Sequence, residues 1–394
     1  MTIAKKKDPF IRNEKEARLV EMAAELAARF AERAPLHDRE GSFPFENFQD
    51  LKDAGYVALT VPREYGGEGI SLYELLLIQE QLGRGDGSTA LSIGWHMGLI
   101  LHYRTTRSWP EELFRSFCQE VVEKGTLLNH FSTERMSGSP SRGGTPQTTA
   151  KKTDGGWLLS GRKTFSTLSP VLDTFLVSAS IAARNEVGVF LMRSSDRITI
   201  EETWDTIGMR ATGSHDVILD RAFAPDDALI SAYPIGQKPK ASSDASAWLL
   251  HIPACYLGIA LAARDFAVSF AKNYHPASLP SPIADLPTVQ QQIGLMEAEL
   301  LTARHLMYAI ADRWDTQPEG RLELIPELGL VKYVATNHAI AVVDKAMRIV
   351  GGASLSRSLP LERMYRDVRA GLHNPPMDEN VIRNLAQRAL EQCE

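Results

Sequence analysis

Two histidines stand where an imidazole could do work. One lies in Gly94-Trp95-His96. The other lies in Gly371-Leu372-His373-Asn374, followed at once by Pro375-Pro376 and the acidic pair Asp378-Glu379. An imidazole ionises near neutral pH and can give or take a proton there. A carboxylate can act as a general base, although acids in the first turn of a helix also complement its dipole. Gly351-Gly352 follows the helical pattern Met347-Arg348-Ile349-Val350. Without side chains its N–H groups can approach a pyrophosphate closely, and the same pair would serve equally as a helix C-cap. Phe165-Ser166-Thr167 sets an aromatic ring beside two hydroxyls, or is an ordinary strand with threonine propensity. Arg210, Thr212 and Ser214 could orient an anionic or carbonyl group, or supply exposed strand polarity. Cys118, Cys255 and Cys393 are far apart and form no CxxC or ligand cluster. This pattern argues against a disulfide framework or a cysteine-rich metal site and fits a reducing, cytoplasmic setting.

The elements that must position these residues fall into three blocks. Residues 1–125 read as almost entirely helical. A long amphipathic helix covers 14–34 and a second covers 43–54. A short extended piece follows at 56–62, then a turn-rich loop, and Ser71 is a good N-cap for the next helix. Another helical pattern surrounds Trp95 to Tyr103, and Pro110 opens one more. From 126 to 236 β-branched and turn residues dominate, as in 156–161, 174–178 and 187–191, so this block reads as a β-domain. The polar loop 136–149, with Gly138, Gly143 and Gly144, is too long for a simple connector. Residues 237–394 return to helix, over 248–272, 288–315, 328–350 and 378–391. Helix, then strand, then helix argues for two helical blocks packed together with a β-domain inserted between them, an α+β architecture.

Composition sets outer bounds. The chain has 394 residues, 44% of them hydrophobic and 23% charged, enough for two or three domains with ample cores. A net charge of −6 gives no global basic field for nucleic acid, and the lysines at 5–7 read as a solvated terminal run. The N-terminus lacks the apolar core of a secretory signal. No run is expected to approach the roughly 20 apolar residues of a membrane span.

Four segments in order then carry a family resemblance. They are Leu51 to Tyr56 with Val61-Pro62 and Tyr65 to Gly69; Gly156-Trp157 through Gly161-Arg162-Lys163-Thr164-Phe165-Ser166-Thr167; Trp204 to Ser214; and Lys345 to Asp367. Together they resemble the acyl-CoA dehydrogenase superfamily over nearly the whole chain. The resemblance implies an N-terminal helical domain, a β-barrel-like middle domain and a C-terminal four-helix bundle. It implies FAD, with FMN possible because His275-Pro276-Ala277-Ser278 replaces the arginine motif that reaches the FAD phosphates of a partner subunit. It also implies a homotetramer or homodimer, a small-molecule substrate that could be an acyl-CoA, and an electron acceptor or a flavin reductase. Nucleic acid and membrane insertion are not expected. By the same resemblance His130, Ser132, Thr133, Phe165, Ser166, Thr167, Gly351 and Gly352 contact the flavin, and Arg210, Thr212 and Ser214 face the substrate.

The family's catalytic glutamate aligns near Pro375 or Pro376, and an alternative base position aligns near Trp248. None of these residues can be a base. Three readings follow. One is oxidation of an acyl-CoA-like substrate with Glu379, Asp378 or His373 as a non-standard base. Another is a monooxygenase using reduced flavin and oxygen, with His96 and His373 at the ring, because both segments also resemble flavin-dependent monooxygenases of the same fold. The third is a flavin-binding module without turnover.

Overall fold

The computed structural model describes residues 8–137, 144–237 and 242–391. Gly138, Gly143, the lysine run at 5–7 and Cys393 lie outside them.

Helix α1 (Glu14–Glu40) starts at Asn13, whose side chain accepts the Glu16 N–H, and ends at Gly41 in the left-handed conformation, a common helix stop. It therefore runs past the expected end at residue 34. After α2 (Phe45–Asp53) the piece expected to be extended is instead a 3₁₀ turn, Tyr56–Ala58. Gly55 at φ 68° reverses the chain. The N–H groups of Ala58, Leu59 and Val61 then reach back three residues to carbonyls, which closes tight turns rather than a strand. Helix α3 (Leu72–Gly85) opens with a capping box between Ser71 and Glu74. Helix α4 (Gly87–Thr106) is capped by Asp86, and α5 (Glu111–Lys124) follows Pro110.

The middle block is one twisted sheet. Its strands are β1 (Leu128–Phe131), β2 (Thr149–Thr153), β3 (Gly156–Lys163), β4 (Thr174–Ile181), β5 (Glu186–Arg193), β6 (Ile198–Glu201), β7 (Asp216–Pro225) and β8 (Leu229–Pro234). They lie in the order β6-β7-β3-β2-β4-β5-β8, with β1 paired to β4 in parallel. Strand β4 is buried along its whole length, as expected for a central strand covered on both faces.

The helical return comprises α6 (His251–Asn273), α7 (Pro287–Thr316), α8 (Ile325–Val350), α9 (Leu361–Arg369) and α10 (Asp378–Glu391). One expectation changes here. Residues 247–273 form a helix long and apolar enough, by length and composition, to cross a membrane. Its apolar character has another cause. It is a core helix, buried at most positions from His251 to Ala263, and its backbone touches that of α3. A Cβ added at Gly83 would meet the Cys255 carbonyl oxygen at 2.4 Å, and one at Gly258 would meet the Glu80 carbonyl oxygen at 2.1 Å. Any larger residue at either position would push the two helices apart. Beside this contact Arg304 of α7 donates to both oxygens of Glu80. The first and last helical blocks therefore share one core.

Candidate functional site

Three segments far apart in sequence converge at one end of the sheet. The Thr164 N–H donates to the Thr133 carbonyl at 2.9 Å, and Asn129 Nδ2 donates to the Thr167 carbonyl at 2.8 Å. The N–H groups of Ser166 and Leu168 then donate to the carbonyls of His215 and Thr212, each at 3.2 Å. Residues 129–133, 163–168 and 204–216 are thus laced together by backbone geometry. Helix α4 lies against them, with Ser92 Oγ donating to the Thr212 carbonyl at 3.4 Å. Helix α9 reaches them too, where Asp367 accepts the Met209 N–H at 2.6 Å. All three blocks of the chain meet here.

Phe165 marks the opening. Its backbone is left-handed at φ 54°, which is unfavourable for a bulky residue and tends to accompany functional sites. Its ring is 65% exposed and meets Trp204 edge to face at 5.7 Å. Ser132 and Thr133 are half-buried next to it. The hydroxyls of Thr164 and Ser166 are buried without a partner among the described residues. A large exposed ring, flanked by hydroxyls and held in a strained backbone, suits a flat heteroaromatic group such as an isoalloxazine.

Beneath this opening is a buried ionic cluster that sequence reasoning missed. Lys163 Nζ is fully buried and donates to Glu134 Oε1 and to the Ser178 carbonyl, both at 2.6 Å. Glu134 also accepts from the N–H groups of Gln147 and Thr148 and from the Thr148 hydroxyl. Burial works against the carboxylate, but Lys163 and these donors hold its pKa down to about 2. His130 Nε2 pairs with Ser178 Oγ at 2.9 Å. Burial pushes this histidine down to about 4, with help from the charges of Lys163 and His102. It is a neutral ring at physiological pH.

Several expected roles need correction. His96 is fully buried, and both its nitrogens are committed to backbone. Nε2 pairs with the Val57 carbonyl and Nδ1 accepts the Leu128 N–H, each at 2.9 Å. Burial pushes its pKa down to about 4. It is a structural pin between α4 and β1 with no nitrogen left for a flavin. His96→Leu is expected to strand two buried backbone groups and cost about 2–4 kcal/mol, while the folded protein still binds flavin. Urea unfolding, with flavin fluorescence as the binding readout, checks both halves.

Arg210 is likewise committed. It donates to the carbonyls of Asp38 and Thr206 and to the Asp205 carboxylate, so it clamps its own loop to α1, and it also lines a cavity of about 1000 Å³. The hydroxyls of Thr212 and Ser214 are buried and chained to Thr167, with Thr167 to Ser214 at 2.8 Å and Ser214 to Thr212 at 2.7 Å. They brace the hairpin from within.

Asp378 accepts from the buried Lys332 at 2.8 Å and from Asn337 at 3.1 Å, which fastens α10 to α8. Glu379 and His373 are exposed. The turn that carries His373 is anchored by Tyr256, whose hydroxyl donates to Asn374 Oδ1 at 2.5 Å. Gly351 ends α8, with its N–H on the Met347 carbonyl, and both Gly351 and Gly352 are exposed.

The inner wall of α4 carries a second set of groups outside the sequence-based candidates. Trp248 lies 5.9 Å from Trp95, 5.8 Å from His102 and 6.0 Å from His251, ring to ring. His102 Nδ1 bonds Asp244 Oδ2 at 2.6 Å. The available sequence signal was periodic: His102 follows Trp95 by seven residues, two helical turns, on the same face.

Comparison with known proteins supports the fold and extends it to function. The acyl-CoA dehydrogenase N-terminal, middle and C-terminal domain models match residues 13–108, 130–222 and 250–372. The chain is 50% identical over 385 residues to the putative acyl-CoA dehydrogenase YdbM of Bacillus subtilis, covering 97% of this chain and 99% of that one. It is 32% identical to L-evernosamine nitrososynthase of a Micromonospora strain, over 90% of this chain and 85% of that protein. Among solved structures, TdsC of Paenibacillus with FMN and indole superposes with a TM-score of 0.84 at 24% identity, covering 95% and 97% of the two chains. Three domain models in order and a half-identical relative of equal length agree with the three-block architecture, and on these grounds the chain belongs to the acyl-CoA dehydrogenase family of flavin-dependent enzymes.

Proposed function

We propose that this protein is a flavin-dependent monooxygenase that uses reduced flavin and molecular oxygen on a compact substrate. One observation carries the reading: the family's proton-abstracting positions hold Pro375, Pro376 and Trp248, and of the two acids that follow, Asp378 is paired with buried Lys332 and Glu379 is turned out to solvent. The surroundings offer indoles and neutral imidazoles where α-proton abstraction would need a free carboxylate. A cavity of about 300 Å³ walled by Ser246, Leu249, Leu250, Leu328, Lys332 and Pro376 is at the small end of ligand pockets, which favours a compact substrate. A relative named dibenzothiophene monooxygenase, 26% identical over 386 residues, supports oxygen-dependent chemistry.

When bound, the flavin supplies the electrons that activate oxygen. Phe165 gives its ring a platform, and Ser132 and Thr133 offer polar contacts along its edge, with Thr167, bonded to Ser214, bracing them from behind. Gly351-Gly352, exposed at the end of α8, suit a phosphate group of a flavin held by a second subunit. FAD is the family's cofactor. FMN is the second candidate, supported by the FMN in TdsC. Such an enzyme needs a reductase to deliver reduced flavin.

The name of the YdbM relative favours a second reading, dehydrogenation of an acyl-CoA. Anaerobic titration with acyl-CoAs of graded length, followed by flavin absorbance, separates the two. We expect no bleaching. We expect oxygen uptake once a flavin reductase and NADH are added, with coupling to product on a panel of small amines, thioethers and indoles. Bleaching by any acyl-CoA overturns the monooxygenase reading in favour of the dehydrogenase.

A further inference from the structure

His102 and Asp244 form a pair that none of the roles above uses. Asp244 is buried, and its side chain is only 1% exposed, whereas that of His102 is 17% exposed. Every feature of the turn around Asp244 fixes its carboxylate. Oδ1 accepts from Ser242 Oγ at 2.5 Å and from the Ser246 N–H at 3.0 Å. Its carbonyl accepts from Trp314 Nε1 at 2.9 Å. The next two residues, Ala245 and Ser246, are both left-handed at φ 52° and 58°, a strain that non-glycine residues rarely bear in succession. Burial opposes the charge, yet the bonds from His102, Ser242 and Ser246 hold the Asp244 pKa below its ordinary value.

An ionised Asp244 can only accept, so His102 Nδ1 carries the hydrogen of that bond and Nε2 is the nitrogen left for another group. Among the described residues the ring's hydrogen bond is the one from Nδ1 to Asp244. The ring lies beside Trp248 at 5.8 Å, on the face of α4 that also carries Trp95. A buried carboxylate that fixes the tautomer of a partly exposed imidazole is the arrangement that makes histidine an efficient proton acceptor.

We infer that His102 is an acid–base residue beside Trp248, the residue at the family's alternative base position, and that Asp244 is its positioning residue. A proton leaves the bound substrate for His102 Nε2, the bonding electron pair stays on the substrate, and the proton is later returned to product or solvent. This rests on the flavoenzyme reading above but not on the choice between oxygenation and dehydrogenation. The other titratable or charged groups facing the pair are His130 of β1, Tyr103 of α4 itself and Arg321 of the turn before α8.

The test uses the full-length protein labelled with [15N]histidine, with and without FAD, across pH. The resonance lost in His102→Gln is expected to show Nδ1 protonated and Nε2 bare above its ionisation. It should move toward the opposite tautomer in Asp244→Asn and shift when FAD is added. A wild-type ring protonated at Nε2, a tautomer indifferent to Asp244→Asn, or no response to FAD overturns the inference. On whichever arm of the assay above proceeds, His102→Gln should lower turnover about 100-fold or more and abolish the acid limb of the pH profile. Unchanged turnover with the acid limb intact also overturns it. Failure of the oxygen arm alone removes only the monooxygenase reading.

Discussion

Glu134→Ala is expected to lower the stability of the protein by about 3–5 kcal/mol, the usual cost of stranding a buried charge. Lys163 has no route to water. Its ammonium is fully buried, and its remaining protein partner would be the Ser178 carbonyl. The N–H groups of Gln147 and Thr148 would lose their acceptor in the same step, so the edge of the flavin cleft should loosen along with the sheet. The double change Glu134→Leu with Lys163→Met should recover much of the loss, because two apolar side chains replace a pair that must otherwise be desolvated. The wild-type pair also has a pH signature. Glu134 has its pKa lowered from 4.5 to about 2 on folding, so its contribution is present above pH 4.5 and fades as pH falls toward 2. Urea titrations of the four proteins check the energies. Near-identical midpoints for wild type and Glu134→Ala would mean that Lys163 finds water or another anion.

Asp367 should give the opposite pH dependence, and a large one. Two buried carboxylates, Asp86 and Asp367, lie near a single buried arginine, Arg363, with Asp86 at 3.7 Å from it. Burial pushes the Asp367 carboxyl up to about 7 from its ordinary 3.8, against the pull of Arg363 and the Met209 N–H. The folded protein therefore binds this proton more tightly than the unfolded chain does. The resulting stability is fully present below pH 3.8 and is lost as pH rises toward 7, over a span of about 4 kcal/mol at 1.36 kcal/mol per unit. Asp367→Asn keeps an oxygen for the Met209 N–H but cannot ionise. Its stability relative to wild type should rise steadily between pH 4 and pH 7. Parallel pH profiles for the two proteins would show that Asp367 is not the group holding that proton. The consequence is local, since the Met209 contact joins α9 to the hairpin over the cleft.

The fold was highly legible in the sequence, and particular residues show why. Ser71 and Glu74 announce α3 by a local capping rule, and α10 begins at the acidic residue expected. The order of helical and β blocks follows from periodicity alone. The site was less legible, because a side chain's partners are set by tertiary contacts that sequence spacing does not encode. His96 looked reactive beside Trp95, but the Val57 carbonyl and the Leu128 N–H take both its nitrogens. Nothing near Arg210 in sequence shows that its Nε is tied to the Asp38 carbonyl of the first helix. His102 and Asp244 lie 142 residues apart, and nothing in either local sequence points to the other.

The glycine contact between α3 and α6 has a consequence for how the chain is made. Arg84 and Asp265, which pair across that interface, are 181 residues apart. During synthesis the apolar flanks of α3 leave the ribosome long before the helix that covers them. At about 5–20 residues per second they wait on the order of 10–40 s while the entire β-domain is made in between. The β-domain can close its own sheet in that time, and the first helical block cannot complete its core. Nascent chains of this protein should therefore recruit holdase chaperones to the 72–106 segment, and should release them only when residue 273 has emerged.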